Sequence, residues 1–172
     1  VYNLASLGAQ VLAVGLVGDD EQGKALCRIF QDVNVDTAGI LLDRERPTVT
    51  KTRISGHARQ SVTQQIVRVD RKSDELARPE LQQQLADYIR LHRSSVDAIV
   101  CSDYGDGTLT QPVIRAALSH PLCVVDAQKQ PKRYAGATIF TPNLPEAEQA
   151  VGYALTNPGG KPDSGLIRRA GA

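Results

Sequence analysis

Residues Val96–Asp126 have the sequence VDAIVCSDYGDGTLTQPVIRAALSHPLCVVD, and their pattern indicates the fold most clearly. Two short apolar runs, residues 96–101 and 122–125, each lead to an aspartate, and a segment with helical spacing separates them. Short runs rich in Val and Ile are typical of strands that are buried on both faces, as in parallel sheets. The stretch therefore predicts two parallel strands with a helix packed across them.

The same alternation of strands and helices continues on both sides of this stretch. Further strands are predicted over residues 10–18, 38–42 and 137–140, and further helices over residues 20–33, from Pro79 onward and over about 144–152. Asp19 and Gln22 have the three-residue spacing of a capping box at the start of one of these helices. The sequence thus predicts an α/β protein with a mostly parallel sheet flanked by helices.

The segment between residues 47 and 71 has a different pattern, because β-branched residues alternate with polar ones on either side of a Gly-containing turn. This pattern predicts a hairpin or a small antiparallel sheet. Lys51 and Arg53 then share one face of the first strand, and Arg68 lies on one face of the second. These cations could bind an anionic substrate, or they could be ordinary solvated side chains of an exposed ribbon.

Both ends of the sequence differ from its middle. Residues 1–10 predict a helix in which Leu4 and Leu7 pack inward, and no strand precedes it. Residues 156–172 are rich in Pro, Gly and charge, which predicts a poorly ordered tail. The expectation is a partial domain over residues 1–155 that is incomplete at both ends.

Composition narrows the classes of function. The 172 residues are 41% hydrophobic and 23% charged, and the net charge of +1 gives no reason to expect nucleic acid or an anionic membrane as a partner. The longest apolar stretch, Val11–Val17, is too short to cross a bilayer. Cys27, Cys101 and Cys123 lack metal-binding spacing and are interpreted as small core residues. A reducing cytoplasm is the expected location.

Three predicted strands in succession lead into polar residues, namely Asp103, Asp126 and Asn143. Ligands of open α/β sheets bind in the crevice at the carboxyl ends of the strands. The three residues are therefore candidates for a binding site with a common rim. Each one, taken singly, could equally be a polar residue that begins a loop.

The motif Asn143-Leu-Pro-Glu146 has two compatible interpretations. Asn followed three residues later by Glu is a capping box, and Pro145 suits the first turn of a helix. A helix N-terminus at a crevice also favours anions, and the Glu146 carboxylate could hold Mg²⁺ through water.

Several motifs in the same order resemble the ribokinase (pfkB) family of carbohydrate kinases. These motifs are the glycine-containing run Gly15-Leu-Val-Gly18-Asp19-Asp20-Glu-Gln-Gly23, and Asn143-Leu-Pro-Glu146 after Thr141-Pro142. The basic ribbon between them matches the substrate lid of that family, at about residues 40–71. The resemblance implies a ribokinase-like fold with a small β lid. It extends from Val1 to about Leu155.

A further set of motifs resembles the heptose-7-phosphate kinase branch of the family. The set comprises Thr50-Lys51-Thr52-Arg53, Arg68-Val-Asp70, Ser102-Asp103-Tyr104-Gly105 and Tyr134-Ala-Gly136-Ala-Thr138. That branch transfers phosphate to the anomeric hydroxyl of D-glycero-D-manno-heptose 7-phosphate. The chain departs from the branch at Asp106, where a basic residue is usual, and at Ala127-Gln128, which replace Pro-Lys.

The resemblance implies a role for each candidate residue, with ATP and Mg²⁺ as cofactors. Asn143, Glu146 and Asp126 would serve Mg²⁺ and the ATP phosphates, with Glu146 acting through water. The sugar phosphate would lie at Asp103, under the lid residues Lys51, Arg53 and Arg68. The lid is also a candidate surface for a homodimer.

The catalytic base expected from the resemblance is the Asp of a Gly-Ala-Gly-Asp motif, which would lie beyond Ala172. The chain alone is therefore expected to be inactive. Two alternatives are a non-catalytic α/β module that binds a sugar or a nucleotide, and a kinase of the same family that acts on another sugar.

Overall fold

The computed structural model describes residues 1–56, 64–157 and 159–171, which form two compact units, Val1–Leu81 and Gln82–Ala172. The helices are Tyr2–Ser6 (α1), Glu21–Asp32 (α2), Pro79–His92 (α3), Gln111–Leu118 (α4), Leu144–Val151 (α5) and Ser164–Ala170 (α6). The strands are Leu12–Gly18 (β1), Asp36–Asp43 (β2), Thr50–Gly56 (β3), Gln64–Arg71 (β4), Ile99–Asp103 (β5), Cys123–Ala127 (β6) and Ile139–Phe140 (β7). Pro131–Tyr134 forms a 3-10 helix.

In the first unit, β1 pairs in parallel with β2, and α2 connects them. This confirms the strand–helix–strand order predicted for this region. The helix is capped by Asp20, whose carboxylate accepts a hydrogen bond from the Gly23 amide at 2.9 Å. The capping box expected from Asp19 and Gln22 was therefore placed one residue too early.

A tight loop follows β2 and leads to the ribbon. The Gly18 amide donates to Thr48 Oγ1 at 2.8 Å, and the Thr48 hydroxyl donates to Asp20 Oδ1 at 2.6 Å. A Cβ atom on Gly18 would lie only 2.5 Å from the carbonyl oxygen of Arg46. Glycine at position 18 is thus what lets the loop backbone approach the end of β1 and hold Thr48 there.

Strands β3 and β4 form the predicted hairpin as a separate two-stranded antiparallel ribbon. The ribbon begins at Thr50, whereas the lid was expected from about residue 40. Residues 40–43 belong instead to β2 and pair with β1. The turn predicted around Gly56 and His57 falls largely outside the described residues.

In the second unit, β5, β6 and β7 form a parallel sheet in that order, with α4 between the first two strands. One face of the sheet packs into a core whose buried members include Ile114 of α4, Val125 of β6 and Tyr134 of the 3-10 helix. Cys101 and Cys123 belong to this core, as predicted, and Cys27 is partly buried.

The two ends of the chain differ from the expectation. The predicted first helix is present as α1, but none of its residues is buried and Leu7 is 85% exposed, so the expected inward packing was wrong. Helix α6 was not predicted, and its N-cap Asp163 accepts hydrogen bonds from the amides of Gly165 and Leu166. Within the described parts of the chain, no helix is long and apolar enough to traverse a lipid bilayer.

Candidate functional site

The carboxyl ends of β5, β6 and β7 lie along one edge of the second unit's sheet. Asp103 ends β5, and Asp126 is the penultimate residue of β6. The Thr141 amide still donates to the Val125 carbonyl at 2.9 Å, so the chain leaves β7 beside them and reaches Asn143 two residues later. Parallel pairing thus brings the backbone of all three predicted site residues to the same edge, where α/β proteins bind ligands.

The carboxylates of Asp103 and Asp126 nevertheless lie on opposite faces of that sheet. Ser102 pairs with Asp126 and Asp103 pairs with Ala127, and successive side chains of a strand point to opposite faces. Asp103 is accordingly buried at 3% exposure, whereas Asp126 is exposed. The expectation that all three side chains line one common rim is therefore corrected for this pair.

The buried carboxylate of Asp103 is fully engaged within the second unit. Its Oδ1 accepts from the Gly105 amide at 2.8 Å, and its Oδ2 accepts from the Tyr134 hydroxyl at 2.6 Å. Arg133 Nη1 lies 3.4 Å from the same Oδ2 and forms an ion pair. Arg133 also donates to the Leu109 carbonyl, so its guanidinium joins the loop after β5 to the 3-10 helix.

Burial raises the pKa of the Tyr134 hydroxyl above its ordinary value, and the hydrogen bond to the Asp103 carboxylate raises it further. The hydroxyl therefore keeps its proton and remains a donor to Asp103 throughout the neutral range. Sequence reasoning missed both Arg133 and Tyr134 as partners of Asp103. Tyr134 stood inside a quoted motif, but no local pattern links it to a residue 31 positions earlier.

The motif Asn143-Leu-Pro-Glu146 forms a complete capping box at the start of α5. The Glu146 amide donates to Asn143 Oδ1 at 3.0 Å, and the Asn143 amide donates to Glu146 Oε2 at 2.8 Å. The structure thus confirms the capping interpretation. It leaves Glu146 Oε1 without a recorded hydrogen bond among the described residues.

Magnesium can be tested against these donors. Across the described residues, no cluster of three or more His, Cys, Asp or Glu side chains is arranged to hold a metal ion. A direct protein cage therefore does not fit. A contact through water fits better, because it requires only one carboxylate on a partly exposed side chain, which Glu146 supplies.

Three basic residues of the ribbon in the first unit lie on a single face. Arg53 pairs with Arg68 and Lys51 pairs with Asp70, so all four side chains lie on the same side. Arg68 Nε forms an ion pair with Asp70 Oδ1 at 2.9 Å. The pairing therefore brings together the three cations that the sequence placed on two separate strands.

The opposite face of the ribbon is exposed and mainly apolar, with Arg71 paired with Thr50 at one end. Ile54 pairs with Val67, and Thr52 pairs with Val69. Ile54, Val67 and Val69 are all among the exposed large hydrophobic residues. The ribbon is therefore two-sided, with one cationic face and one mainly apolar face.

The two histidines within the described residues make structural contacts. His92 Nδ1 lies 2.9 Å from the Tyr88 carbonyl, and its ring stacks on Tyr88. Both ring nitrogens of His120 contact backbone carbonyls, those of Leu122 and Val96. His57 lies outside the described residues.

Comparison with solved structures identifies the class of fold. The chain is similar over 98% of its length to a crystal structure of a PfkB protein from Polaromonas sp. JS666, covering 60% of that chain with a TM-score of 0.59 and 14% identity. It is similar over 88% of its length to a structure of ribokinase from Giardia lamblia, covering 52% of that chain with a TM-score of 0.53 and 17% identity. The parallel strands and the separate ribbon therefore belong to a ribokinase-like α/β fold.

Sequence comparison identifies the family. Residues 1–164 match the pfkB family of carbohydrate kinases, and the chain belongs to that family. It is 38% identical over 177 residues to the bifunctional protein HldE of Pelobacter propionicus, and 39% identical over 159 residues to HldE of Helicobacter acinonychis. These alignments include 99% and 89% of this chain but only 34% and 33% of the relatives, so the chain spans about a third of their length.

Proposed function

We propose that the protein carrying this chain transfers phosphate from ATP to a hydroxyl of a sugar phosphate. The observation that carries the proposal is the family match over residues 1–164, joined to a capped helix N-terminus at the carboxyl edge of a parallel sheet. A helix N-terminus stabilises anions because its amides and its dipole present positive charge. Phosphoryl transfer depends mainly on positioning and on neutralising charge, which such an edge can provide.

The proposed acceptor is D-glycero-D-manno-heptose 7-phosphate, which would be converted to the 1,7-bisphosphate. Support comes from the HldE relatives and from the cationic face of the ribbon formed by Lys51, Arg53 and Arg68. Three cations against the single carboxylate of Asp70 suit a phosphorylated sugar better than a neutral one. In this proposal the ribbon is the lid that covers the sugar phosphate.

The residues at the carboxyl edge of the sheet in the second unit are proposed to bind ATP and Mg²⁺ and to position the loop after β5. Asn143 would orient the start of α5 toward the ATP phosphates, and Glu146 would hold a water of Mg²⁺, with Asp126 on the exposed face nearby. Bound Mg²⁺ supplies the positive charge that neutralises the phosphate oxygens. Asp103, being buried, would act as a positioning residue that fixes the loop after β5, and would do so through Gly105 and Arg133.

The direct test is a kinase assay on the whole protein that carries this chain, with ATP, Mg²⁺ and heptose 7-phosphate, followed by ³¹P NMR of the product. A second phosphate signal at the anomeric carbon is the expected result. A panel of other sugars and sugar phosphates in the same assay decides between the heptose and another acceptor. Turnover of none of them would contradict the kinase proposal and favour a non-catalytic binding module.

Glu146→Gln separates the capping role of Glu146 from its proposed charge role. Gln retains a side-chain oxygen that can accept from the Asn143 amide, so the stability of the fold should change by less than about 0.5 kcal/mol. The same variant should raise the Mg²⁺ concentration required for half-maximal activity. An unchanged Mg²⁺ requirement in a folded variant would remove Glu146 from the proposed metal contact.

The 172-residue chain by itself is proposed to lack kinase activity, because its sequence contains no Gly-Ala-Gly-Asp motif to supply the expected base. ATP-dependent phosphorylation of any sugar by the purified chain would refute this.

We also propose that the apolar face of the ribbon, with Ile54, Val67 and Val69, forms a homodimer contact. Light scattering on Val69→Lys should then show more monomer than on the unaltered protein.

A further inference from the structure

The loop that follows β6 is fastened to the end of β5 in the second unit. The Gln128 amide donates to the Asp103 carbonyl at 3.0 Å. Two residues later, Gln130 adopts a left-handed conformation with φ of 50° and becomes the N-cap of the 3-10 helix. Lys129 stands between these two fixed points, so its backbone is held at the carboxyl ends of both strands.

The side chain of Lys129 lies against Gly105. A Cβ atom built on Gly105 would lie 3.1 Å from Lys129 Cδ and 3.4 Å from Lys129 Nζ. Gly105 has φ of +71°, and its amide donates to the buried Asp103 carboxylate. The space that the missing side chain leaves open is therefore the space along which Lys129 runs, and its ammonium group lies directly over the turn that Asp103 stabilises.

The charges around this turn are unequally matched. The Asp103 carboxylate already receives Arg133, the Tyr134 hydroxyl and the Gly105 amide. Within residues 1–56, 64–157 and 159–171, the Lys129 ammonium forms no ion pair or hydrogen bond. It is an exposed positive charge at the sheet edge where α/β proteins bind ligands.

We propose that Lys129 binds a phosphate oxygen of a substrate at the carboxyl ends of β5 and β6. Lys129 is neither one of the polar residues at the strand ends nor part of the capping motif. The inference rests on the proposed kinase function, since that function brings phosphate groups to this edge. A lysine ammonium is a compact charge with three donors that suits phosphate oxygens. The phosphate could belong to the nucleotide or to the sugar phosphate, and kinetics with each substrate varied in turn distinguishes the two.

The test compares Lys129→Ala and Lys129→Arg with Lys132→Ala in the whole protein that carries this chain. Lys132 is a matched control because it is an exposed lysine three residues away, in the 3-10 helix. Lys129→Ala should raise KM for one of the two substrates by about tenfold or more, the loss typical of a hydrogen bond to a charged group. Lys129→Arg should restore most of that loss, and Lys132→Ala should change KM less than about twofold.

A second variant displaces the Lys129 side chain without replacing Lys129 itself. Gly105→Asn keeps a residue that tolerates the left-handed backbone, but its side chain occupies the space used by Lys129. It should raise KM for the same substrate as Lys129→Ala does, and circular dichroism should show an unchanged fold.

Three outcomes would overturn the proposal. If the unaltered enzyme is active and Lys129→Ala changes neither KM value, the role of Lys129 is contradicted and the kinase function stands. Equal effects of Lys129→Ala and Lys132→Ala would indicate general attraction by surface charge in place of a specific contact. An unaltered protein with no activity toward any phosphorylated sugar contradicts the proposed function and this inference together.

Discussion

Replacing Tyr134 with Phe tests the buried hydrogen-bond network on which the geometry of the sheet edge depends. The Tyr134 hydroxyl donates to Asp103 Oδ2 at 2.6 Å, and both residues are 3% exposed. Phe keeps the ring in the core, so the change removes the hydrogen bond with little loss of apolar packing. A buried hydrogen bond to a charged group contributes about 1.5–3 kcal/mol to stability.

We therefore expect Tyr134→Phe to lower the free energy of unfolding by about 2 kcal/mol. For a chain of this length that corresponds to a fall in Tm of about 4–8 °C. Urea titrations and thermal melts followed by circular dichroism measure both quantities. Tyr153→Phe is the control, because the Tyr153 side chain is exposed, and its change should stay within about 0.5 kcal/mol.

The pH dependence of stability gives a second readout of the same hydrogen bond. Burial and the Asp103 carboxylate raise the pKa of Tyr134 in the folded state above its ordinary value of about 10. The folded chain therefore holds this proton more tightly than the unfolded chain. Its contribution to stability is complete below pH 10 and is lost progressively as the pH rises above that value.

Tyr134→Phe should consequently weaken the alkaline decline in stability. If Tyr134→Phe matched the unaltered chain in stability at neutral pH and in its alkaline decline, the reasoning about this network would be refuted. A loss at neutral pH without any change in the alkaline decline would mean that the hydroxyl contributes packing alone.

The other predictions concern three local contacts. Gly18→Ala should lower the free energy of unfolding in urea by about 2–4 kcal/mol, because the new methyl group would collide with the loop backbone and break the hydrogen bond to Thr48. Gly15→Ala is the control, because Gly15 has open space around it, and its change should stay within about 0.5 kcal/mol. Asn143→Ala should cost about 1 kcal/mol through the lost N-cap and Asn143→Asp much less, so equal losses would contradict the capping role. Hydrogen bonds from Thr48 hold the pKa of the Asp20 carboxyl below its ordinary range. The Asp20 carboxylate therefore contributes its full stabilisation at pH values above that range, and this contribution is lost as the pH falls through the lowered pKa. Urea midpoints of Asp20→Ala should therefore show a flatter acid limb, and an unchanged limb would count against this assignment.

Apart from α6, local patterns predicted the helices and strands, since these elements depend mainly on neighbouring residues. The start of α3 at Pro79 was predicted from the preference of proline for the first helical turn, and the capping box of Asn143 and Glu146 from their spacing. Errors occurred where a longer-range contact decided the outcome. Asp20 serves as the N-cap in place of Asp19, and its other hydrogen bonds go to Thr48, 28 residues away in a loop whose path no local pattern reveals.

The ribbon shows the same limit. Alternation assigned Lys51 and Arg53 to one face of their strand and Arg68 to one face of its own. Whether these faces lie on the same side of the hairpin depends on the register between the two strands, which alternation along each strand does not give. The pairing of Arg53 with Arg68 settled that question, and it also placed Ile54 opposite Val67 on the apolar side.

The order of most strands and helices, the polar residues at the strand ends and the presence of a basic hairpin could all be predicted from the amino-acid sequence. Periodicity and capping encode these features within a few residues of one another. Only the tertiary structure decided that Asp103 faces the core beside Arg133 and Tyr134, and that Lys129 lies over Gly105. The physical reason is that the face on which a strand-end side chain lies is set by register with its neighbour and by what covers that face.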